Sequence, residues 1–253
     1  MPVFPAPTSR IPPVTGPAIR LAGTARFGTA TLFRDAVLEL LPGTWTCLLG
    51  PSGVGKSTAL RLIAGLDTGA DFQGDIKALD GSPLTGRVAY MAQSDLLLPW
   101  LDLRGNVALG ARLRGSPPDW PRIDALIDRL GLAAHARKRP ASLSGGQRQR
   151  TALARTLMEN KAIVLLDEPF SALDARTRAD MQDLAAETLA GRTVLMVTHD
   201  PGEAARLGAR IYLMENNTLT QHPPPAGHPI RAIDDPEMLA CQAALLLQLR
   251  AAT

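Results

Sequence analysis

The sequence of 253 residues predicts an α/β fold, in which helices cover a mainly parallel sheet. The first observation is that short apolar runs typical of strands alternate with helical runs along most of the chain. The second is a glycine-rich loop that joins one predicted strand directly to a helix. The third is an interval without strand signals, from about Ser94 to Leu143, which indicates an inserted helical subdomain.

The N-terminal half begins with a proline-rich leader. Residues 1–17 contain six prolines and no apolar core typical of a secretory signal, so we expect this leader to be flexible. The predicted elements that follow are strands at Ile19–Arg26, Thr31–Leu40, Thr44–Leu49, Gly74–Leu79 and Val88–Ala92, and a helix at Lys56–Ile63 that ends at Gly65.

The second half resumes the alternation after the helical interval, in which prolines separate helical pieces such as Ile123–Leu130. A proline-rich tail begins near His222. The predicted helices are one from Ser144, Ala175–Leu189, Pro201–Leu207 and an amphipathic helix at Glu237–Leu249, and the predicted strands are Ala162–Leu166, Thr193–Thr198 and Arg210–Met214.

Composition excludes several classes of protein. The 27 basic and 24 acidic residues leave a net charge of +3, which is too small an excess to suggest a nucleic-acid partner. Two distant cysteines without a metal-ligand pattern fit a reducing compartment and no disulfide. The apolar runs are far shorter than the ~20 residues needed to cross a bilayer. We therefore expect a protein of the cytosol.

The glycine-rich loop carries the first chemical motif. Residues 50–57 fit the pattern GxxxxGK[ST] of a P-loop, whose glycines let backbone amides turn towards phosphate oxygens. Lys56 would reach the β- and γ-phosphates of a nucleotide, and Ser57 would place its hydroxyl on Mg²⁺. The alternative is a chance glycine-rich loop, which the position between strand and helix disfavours. The predicted nucleotide-binding residues of the loop are Gly50, Pro51, Ser52, Gly53, Val54, Gly55, Lys56, Ser57 and Thr58.

Two acids follow an apolar strand, which is the Walker B arrangement. Asp167 would hold Mg²⁺ through water, and Glu168 would polarise the attacking water as general base. Taken alone, the same residues could also be a strand end whose acids face solvent.

The run Leu143-Ser144-Gly145-Gly146-Gln147-Arg148-Gln149-Arg150 distinguishes the chain from other P-loop proteins, because it resembles the signature of ABC transporter ATPases. Physically it is a second phosphate-binding helix start, with Ser144 as cap. In the resembled family this segment contacts the ATP held by the opposite subunit, which implies a homodimer in the ATP-bound state. The nucleotide contacts implied here are Ser144, Gly145, Gly146 and Gln147.

The resemblance implies roles for four more residues. Gln93 corresponds to the Q-loop glutamine, which contacts Mg²⁺ and the attacking water, and Asp174 belongs to a D-loop that crosses the dimer interface. His199 corresponds to the switch histidine at the γ-phosphate, although a lone histidine after a strand is more often structural. Phe27 lies where an aromatic residue stacks on adenine; the alternative is a plain core aromatic.

The resemblance also implies the domain organisation, a P-loop NTPase core of the ABC ATPase type with an antiparallel β subdomain and the inserted α-helical subdomain. We expect the leader at 1–17, the ATPase domain at 18–221 with its helical subdomain at about 94–143, and a short tail at 222–253.

The segment after Gln93 bears on the type of transporter. It contains Leu-Leu-Pro-Trp at 97–100, which is similar to ATPases of the nitrate, taurine and sulfonate importers, a group that includes importers of hydroxymethylpyrimidine, a thiamine precursor. The expected partners are therefore membrane permease subunits and, indirectly, a solute-binding protein, with the chain cytoplasmic and peripheral on the inner face of the cell membrane. Leu96–Leu101 would either receive a permease helix or be buried in the helical subdomain.

Other classes of ABC ATPase differ from this chain in length or in the number of motifs. Chromosome-maintenance ATPases insert a long coiled coil between P-loop and signature, whereas about 90 residues separate them here. ABC translation factors carry two cassettes, and this chain has one P-loop and one signature. An exporter or lipid-handling complex stays open as the alternative.

Overall fold

The computed structural model describes residues 15–251 and contains two sheets with helices around them. The strands are β1 Ile19–Phe27, β2 Ala30–Leu40, β3 Trp45–Leu49, β4 Asp71–Ala78, β5 Val88–Met91, β6 Ile163–Asp167, β7 Thr193–Thr198, β8 Arg210–Glu215 and β9 Thr218–His222. The helices are α1 Lys56–Ile63, α2 Leu103–Val107, α3 Leu109–Leu113, α4 Trp120–Arg129, α5 Gly145–Leu157, α6 Ala175–Thr188, α7 Pro201–Leu207 and α8 Pro236–Ala251, with 3₁₀ turns at Ala133–His135 and Pro140–Ser142.

The larger sheet is mainly parallel, as the alternating pattern predicted. Its order is β5-β6-β7-β3-β8-β9, and only β9 runs antiparallel to its neighbour. Every residue of β3, β6 and β7 is buried, which is why these strands are continuous apolar runs without a polar face. Because β3, β5, β6 and β7 are parallel, the loops after their carboxyl ends meet at one edge of the sheet.

A smaller antiparallel sheet of β2, β1 and β4 packs on this one. Its inner side chains, including the fully buried Phe33 and Leu38, form one cluster with residues of α1, β6 and β7. The antiparallel β subdomain implied by the family resemblance is therefore present.

Residues 94–143 contain helices and no strand, as predicted from the missing strand signals. The segment before α2 is held by Asn106, which is fully buried. Its side-chain amide accepts from the backbone N–H of Leu98 at 2.7 Å and donates to the carbonyl of Leu98 at 3.2 Å. This subdomain joins the main core through α2 and α4, which pack on α5.

The C-terminal residues pack tightly on the domain. The guanidinium of the buried Arg231 donates to five backbone carbonyls, two at 205–208 and three at 225–227. The side chain of Arg206 donates to the carbonyl of Arg231. Helix α8 packs on α7 and buries Met238 and Leu245. Its leucines lie on both faces, with Leu239 and Leu247 exposed, so the helix is less amphipathic than predicted.

The last strand and the leader are two further places where structure and sequence prediction are compared. Strand β9 was missed, because its sequence TLTQH has little apolar content and adjoins the proline-rich tail. The predicted leader lies outside the described residues up to position 14, and at its end Thr193 donates to the carbonyl of Pro17 at 2.8 Å. Within residues 15–251 no helix combines the length and apolarity needed to cross a membrane.

Candidate functional site

The glycine-rich loop follows β3 and turns into α1 at Gly55, whose φ of 106° lies in the left-handed region that favours glycine. At its other end Gly50 lies against β8, where any Cβ would meet the carbonyl oxygen of Met214 at 2.3 Å. Glycine is thus required at both ends of the loop for steric reasons. Between them, Ser52 and Gly53 are exposed.

Lys56, the first residue of α1, is buried beneath this loop. Its Nζ donates to the carbonyls of Gly50 and Pro51, each at 2.7 Å. Burial lowers the pKa of Lys56, and the nearby Glu168 and Asp167 oppose that shift. The amine therefore lies inside the curve of the loop.

Ser57 and Asp167 are brought together from positions 110 residues apart, and the Ser57 hydroxyl donates to Asp167 Oδ1 at 3.1 Å. Asp167 ends β6 and is buried, which raises its pKa, and the Ser57 hydrogen bond opposes the shift. Both residues line a cavity of about 590 Å³ together with Gln93. The three residues predicted to bind the metal thus share one cavity, to which Tyr90 and Arg61 also contribute.

Glu168 and His199 form the second pair of the site. His199 Nδ1 lies 3.2 Å from Glu168 Oε2, and the amide of Glu168 donates to the carbonyl of Val197 in the neighbouring strand β7. Glu168 has a φ of 49°, which is uncommon for a residue with a side chain. The carboxyl ends of β6 and β7 therefore hold an acid and an imidazole in direct contact.

The other predicted residues lie apart from these groups. Ser144 caps α5, accepting from the amide of Gln147 at 3.2 Å, and the Gln147 side chain accepts from the amide of Ser144 in a capping box. Among residues 15–251 no hydrogen bond or ion pair links residues 144–147 to the loop at 50–58. Asp174 caps α6, and hydrogen bonds from Thr177 lower its pKa.

Phe27 lies at the end of β1, and the residue is 59% exposed. The edge of the ring faces Gly69, in the loop after α1. The alternative of a plain core aromatic is therefore wrong for the described structure, and an exposed ring face remains for a ligand or partner.

Two residues near Glu168 were not predicted from the sequence. Gln149 donates to the Glu168 carbonyl at 2.9 Å and accepts from the amide of Ala172, so α5 holds the backbone from Glu168 to Ala172. Glu203 is buried, accepts from the Thr198 hydroxyl at 2.6 Å, and has its pKa raised by burial to about 7. Gln149 lies within the signature run, but its bonds to residues 19 and 23 positions further on depend on how α5 packs, and no local pattern distinguishes Glu203 from other acids of a first helical turn.

Comparison with known proteins agrees with this arrangement. Residues 33–171 match the family described as ABC transporter. The chain is 49% identical over 192 residues to an "Uncharacterized ABC transporter ATP-binding protein" of Haemophilus influenzae, covering 75% of this chain and 78% of the relative.

Two further relatives carry more specific names. An "Aliphatic sulfonates import ATP-binding protein SsuB 1" of Xanthomonas axonopodis pv. citri is 44% identical over 209 residues, 79% of this chain and 81% of the relative. An "Aliphatic sulfonates import ATP-binding protein SsuB 2" of Burkholderia cenocepacia is 43% identical over 196 residues, 76% of this chain and 71% of the relative. These relatives favour the importer prediction over the exporter alternative. The chain belongs to the ABC transporter family, as one of its ATP-binding subunits, and is an ATPase.

Proposed function

We propose that this chain hydrolyses ATP with Mg²⁺ to drive the uptake of a small solute through membrane permease subunits. The observation that carries the proposal is the meeting of Lys56, the Ser57–Asp167 pair and the Glu168–His199 pair at one edge of the sheet. These residues come from three parallel strand ends, the position at which α/β folds bind nucleotides.

The loop and its lysine fit the triphosphate of ATP. Backbone amides at the start of α1 and the buried amine of Lys56 provide positive charge on the inside of the loop. The exposed ring of Phe27 would stack on the adenine base. The remaining loop contacts are those predicted for Pro51, Ser52, Val54 and Thr58.

The residues of the cavity also fit Mg²⁺, since a hydroxyl, a carboxylate and an amide oxygen are the hard oxygen ligands that this ion prefers. Ser57, Asp167 and Gln93 would hold it. When bound, the ion neutralises charge on the phosphate oxygens. The raised pKa of Asp167 reflects a buried carboxylate that a cation would stabilise in its ionised form.

Glu168 is placed to act as general base, accepting a proton from the water that attacks the γ-phosphate. His199 would contact the γ-phosphate and, through its Nδ1, orient the Glu168 carboxylate. Gln93 follows β5, which flanks β6 on the side opposite to β7, and would orient the same water.

Ser144, Gly145, Gly146 and Gln147 would complete the site of a second copy. The amides of Gly145 and Gly146 lie at the exposed start of α5, whereas those of Ser144 and Gln147 are used within the capping box. Asp174 would lie at the interface between the copies. The proposal therefore includes a homodimer in the ATP-bound state, peripheral on the cytoplasmic face of the membrane, with a solute-binding protein as an indirect partner. Since relatives are named for aliphatic sulfonates, a small organic anion is the first solute to test.

Removal of the metal tests the catalytic part of the proposal. Hydrolysis of ATP by the purified chain should stop with EDTA and return with Mg²⁺. Asp167→Asn should lower turnover by about 10- to 100-fold at limiting Mg²⁺, because the site loses its carboxylate. Asp124→Asn is the control, because Asp124 is an exposed carboxylate of the helical subdomain that pairs with Arg104. Equal metal requirements for the wild type and Asp167→Asn would contradict the assignment of Asp167.

The segment Leu96–Leu101 supports the permease part. Leu97 is 8% exposed and belongs to the core, whereas Leu96 and Trp100 are 62% and 66% exposed. Arg155 of α5 donates to the carbonyls of Asp95 and Leu96, and Arg148 pairs with the Asp95 carboxylate at 2.9 Å. The segment thus has one anchored side and one apolar side free for a permease helix, and it begins three residues after Gln93.

Trp100→Ala should reduce co-purification with the permease or uncouple uptake, while ATP hydrolysis by the isolated chain persists. The exposed side chain carries little of the fold, so the variant should remain folded. Leu79→Ala removes a similarly exposed apolar side chain outside this segment and is the control. Normal permease binding and uptake by Trp100→Ala would exclude the coupling role, and an unfolded variant would show that Trp100 supports the fold instead.

A further inference from the structure

Arg178, on the second turn of α6, contacts two loops of the site at once. Its Nη1 bonds Asp200 Oδ2 at 2.8 Å, and its Nη2 donates to the carbonyl of Leu173 at 3.0 Å. Its Nε lies 3.8 Å from Glu203 Oε1. Leu173 directly precedes Asp174, in the segment 171–174 proposed to lie at the dimer interface, and Asp200 directly follows His199.

The loop that carries His199 is held on both sides of that residue. The Thr198 hydroxyl donates to Glu203 Oε2 at 2.6 Å and accepts from the amide of Asp200 at 3.0 Å. Asp200 uses Oδ1 to cap α7 through Gly202, which leaves Oδ2 for Arg178. His199 itself is about half exposed, and its Nδ1 contacts Glu168 Oε2. Its position therefore depends on its two neighbours in the chain.

We propose that Arg178 is a positioning residue for ATP hydrolysis, which fixes the His199 loop against segment 171–174 and so keeps the imidazole beside Glu168. This inference rests on the proposed roles of Glu168 and His199. Through Arg178, a partner chain that contacts segment 171–174 would affect the positions of Glu168 and His199.

The geometry suits an arginine. The planar guanidinium presents its two Nη groups to a carboxylate and a carbonyl in different loops, whereas a lysine would have to reach both with a single ammonium. Arg178 and Asp200 are each 31% exposed, and an ion pair of that exposure contributes little to stability. The contribution of Arg178 is therefore expected in kcat more than in the free energy of unfolding.

The experiment measures kcat and KM for ATP in Arg178→Gln, His199→Ala and the double variant of the full chain. Arg178→Gln should lower kcat by about 10- to 100-fold, the usual effect of a small displacement of catalytic groups, with KM unchanged. In the His199→Ala background the same change should lower kcat by less than about twofold, because residues that act as a unit are not additive. Arg178→Lys should give an intermediate kcat.

Arg129→Gln is the matched control, because it removes an arginine whose ion pair, with Glu187 at 2.5 Å, lies on an exposed surface. It should retain wild-type kcat. Full additivity of Arg178→Gln and His199→Ala, or a change in KM alone, would overturn the inference while the proposed function stands. If Arg178→Gln does not fold, Arg178→Lys replaces it in the same comparison with His199→Ala and the double variant. A wild-type chain without ATPase activity, or a fully active His199→Ala, would overturn the proposed function and this inference with it.

Discussion

Glu168→Gln is expected to lower ATP turnover by ~10²- to 10⁴-fold and to leave ATP binding intact. The amide has the shape of the carboxylate but accepts no proton from the attacking water. It also keeps an oxygen that can accept from His199, whose Nδ1 lies 3.2 Å from the wild-type carboxylate, so the local arrangement should survive. With binding preserved and hydrolysis slowed, the ATP-bound dimer should accumulate. Sizing chromatography with Mg²⁺-ATP measures the dimer, and phosphate release measures turnover.

The control for this change is Glu187→Gln, because Glu187 is an exposed residue of α6 whose ion pair is with Arg129. It should hydrolyse ATP at the wild-type rate and remain monomeric as often as the wild type. A Glu168→Gln chain that hydrolyses ATP at nearly the wild-type rate would remove Glu168 from the role of general base. A variant that loses ATP binding instead would place Glu168 in binding.

Mixing two inactive chains should restore activity if each site is shared between two copies. Lys56→Ala removes the buried amine from the phosphate loop, and Ser144→Arg blocks the start of α5 that would serve the partner. Each chain alone should be inactive. In a mixed dimer, the Ser144→Arg chain supplies an intact loop and the Lys56→Ala chain supplies an intact helix start, which makes one complete site. Equal mixing should recover up to roughly a quarter of wild-type activity in a dimer with two equivalent sites.

The sharpest control mixes Lys56→Ala with Asp167→Asn, since both changes affect the same half of the site and no combination of them is complete. This mixture should show no more activity than the two chains show when each is measured alone. Activity of the wild type should also rise more than linearly with protein concentration. No recovery in the Lys56→Ala and Ser144→Arg mixture would contradict the shared site, provided that each chain still dimerises with the wild type.

Local patterns were sufficient for most of the fold. Helix α1 and strand β7 have the predicted limits, because a glycine loop and a buried apolar run mark them in the sequence. Strand β9 was missed although a signal was present: Asn216 and Asn217 both have positive φ, as the central residues of a type I′ hairpin turn do. An Asn-Asn pair after a predicted strand indicates such a hairpin even when the second strand is polar.

The candidate site also contains residues that the sequence predicts and residues that it does not. Lys56, Ser57, Asp167 and Glu168 belong to contiguous motifs, so the sequence placed them in the site, and the parallel order of β3, β6 and β7 explains why they meet. The supporting contacts of Gln149 and Arg178 join segments about 20 residues apart or more. Their partners depend on how α5 and α6 pack, which spacing along one chain does not specify.

The left-handed backbone of Glu168 affects how a mutational scan of this position should be interpreted. Residues branched at Cβ avoid that conformation, so Val, Ile or Thr at 168 would combine lost chemistry with a distorted junction between β6 and segment 171–174. Asn and Gly accept the conformation readily and remove the acid, whereas Asp accepts it and keeps a shorter one. Comparing Asn with Asp at this position therefore separates the proton acceptor from the turn, which a comparison of Ala with Glu does not.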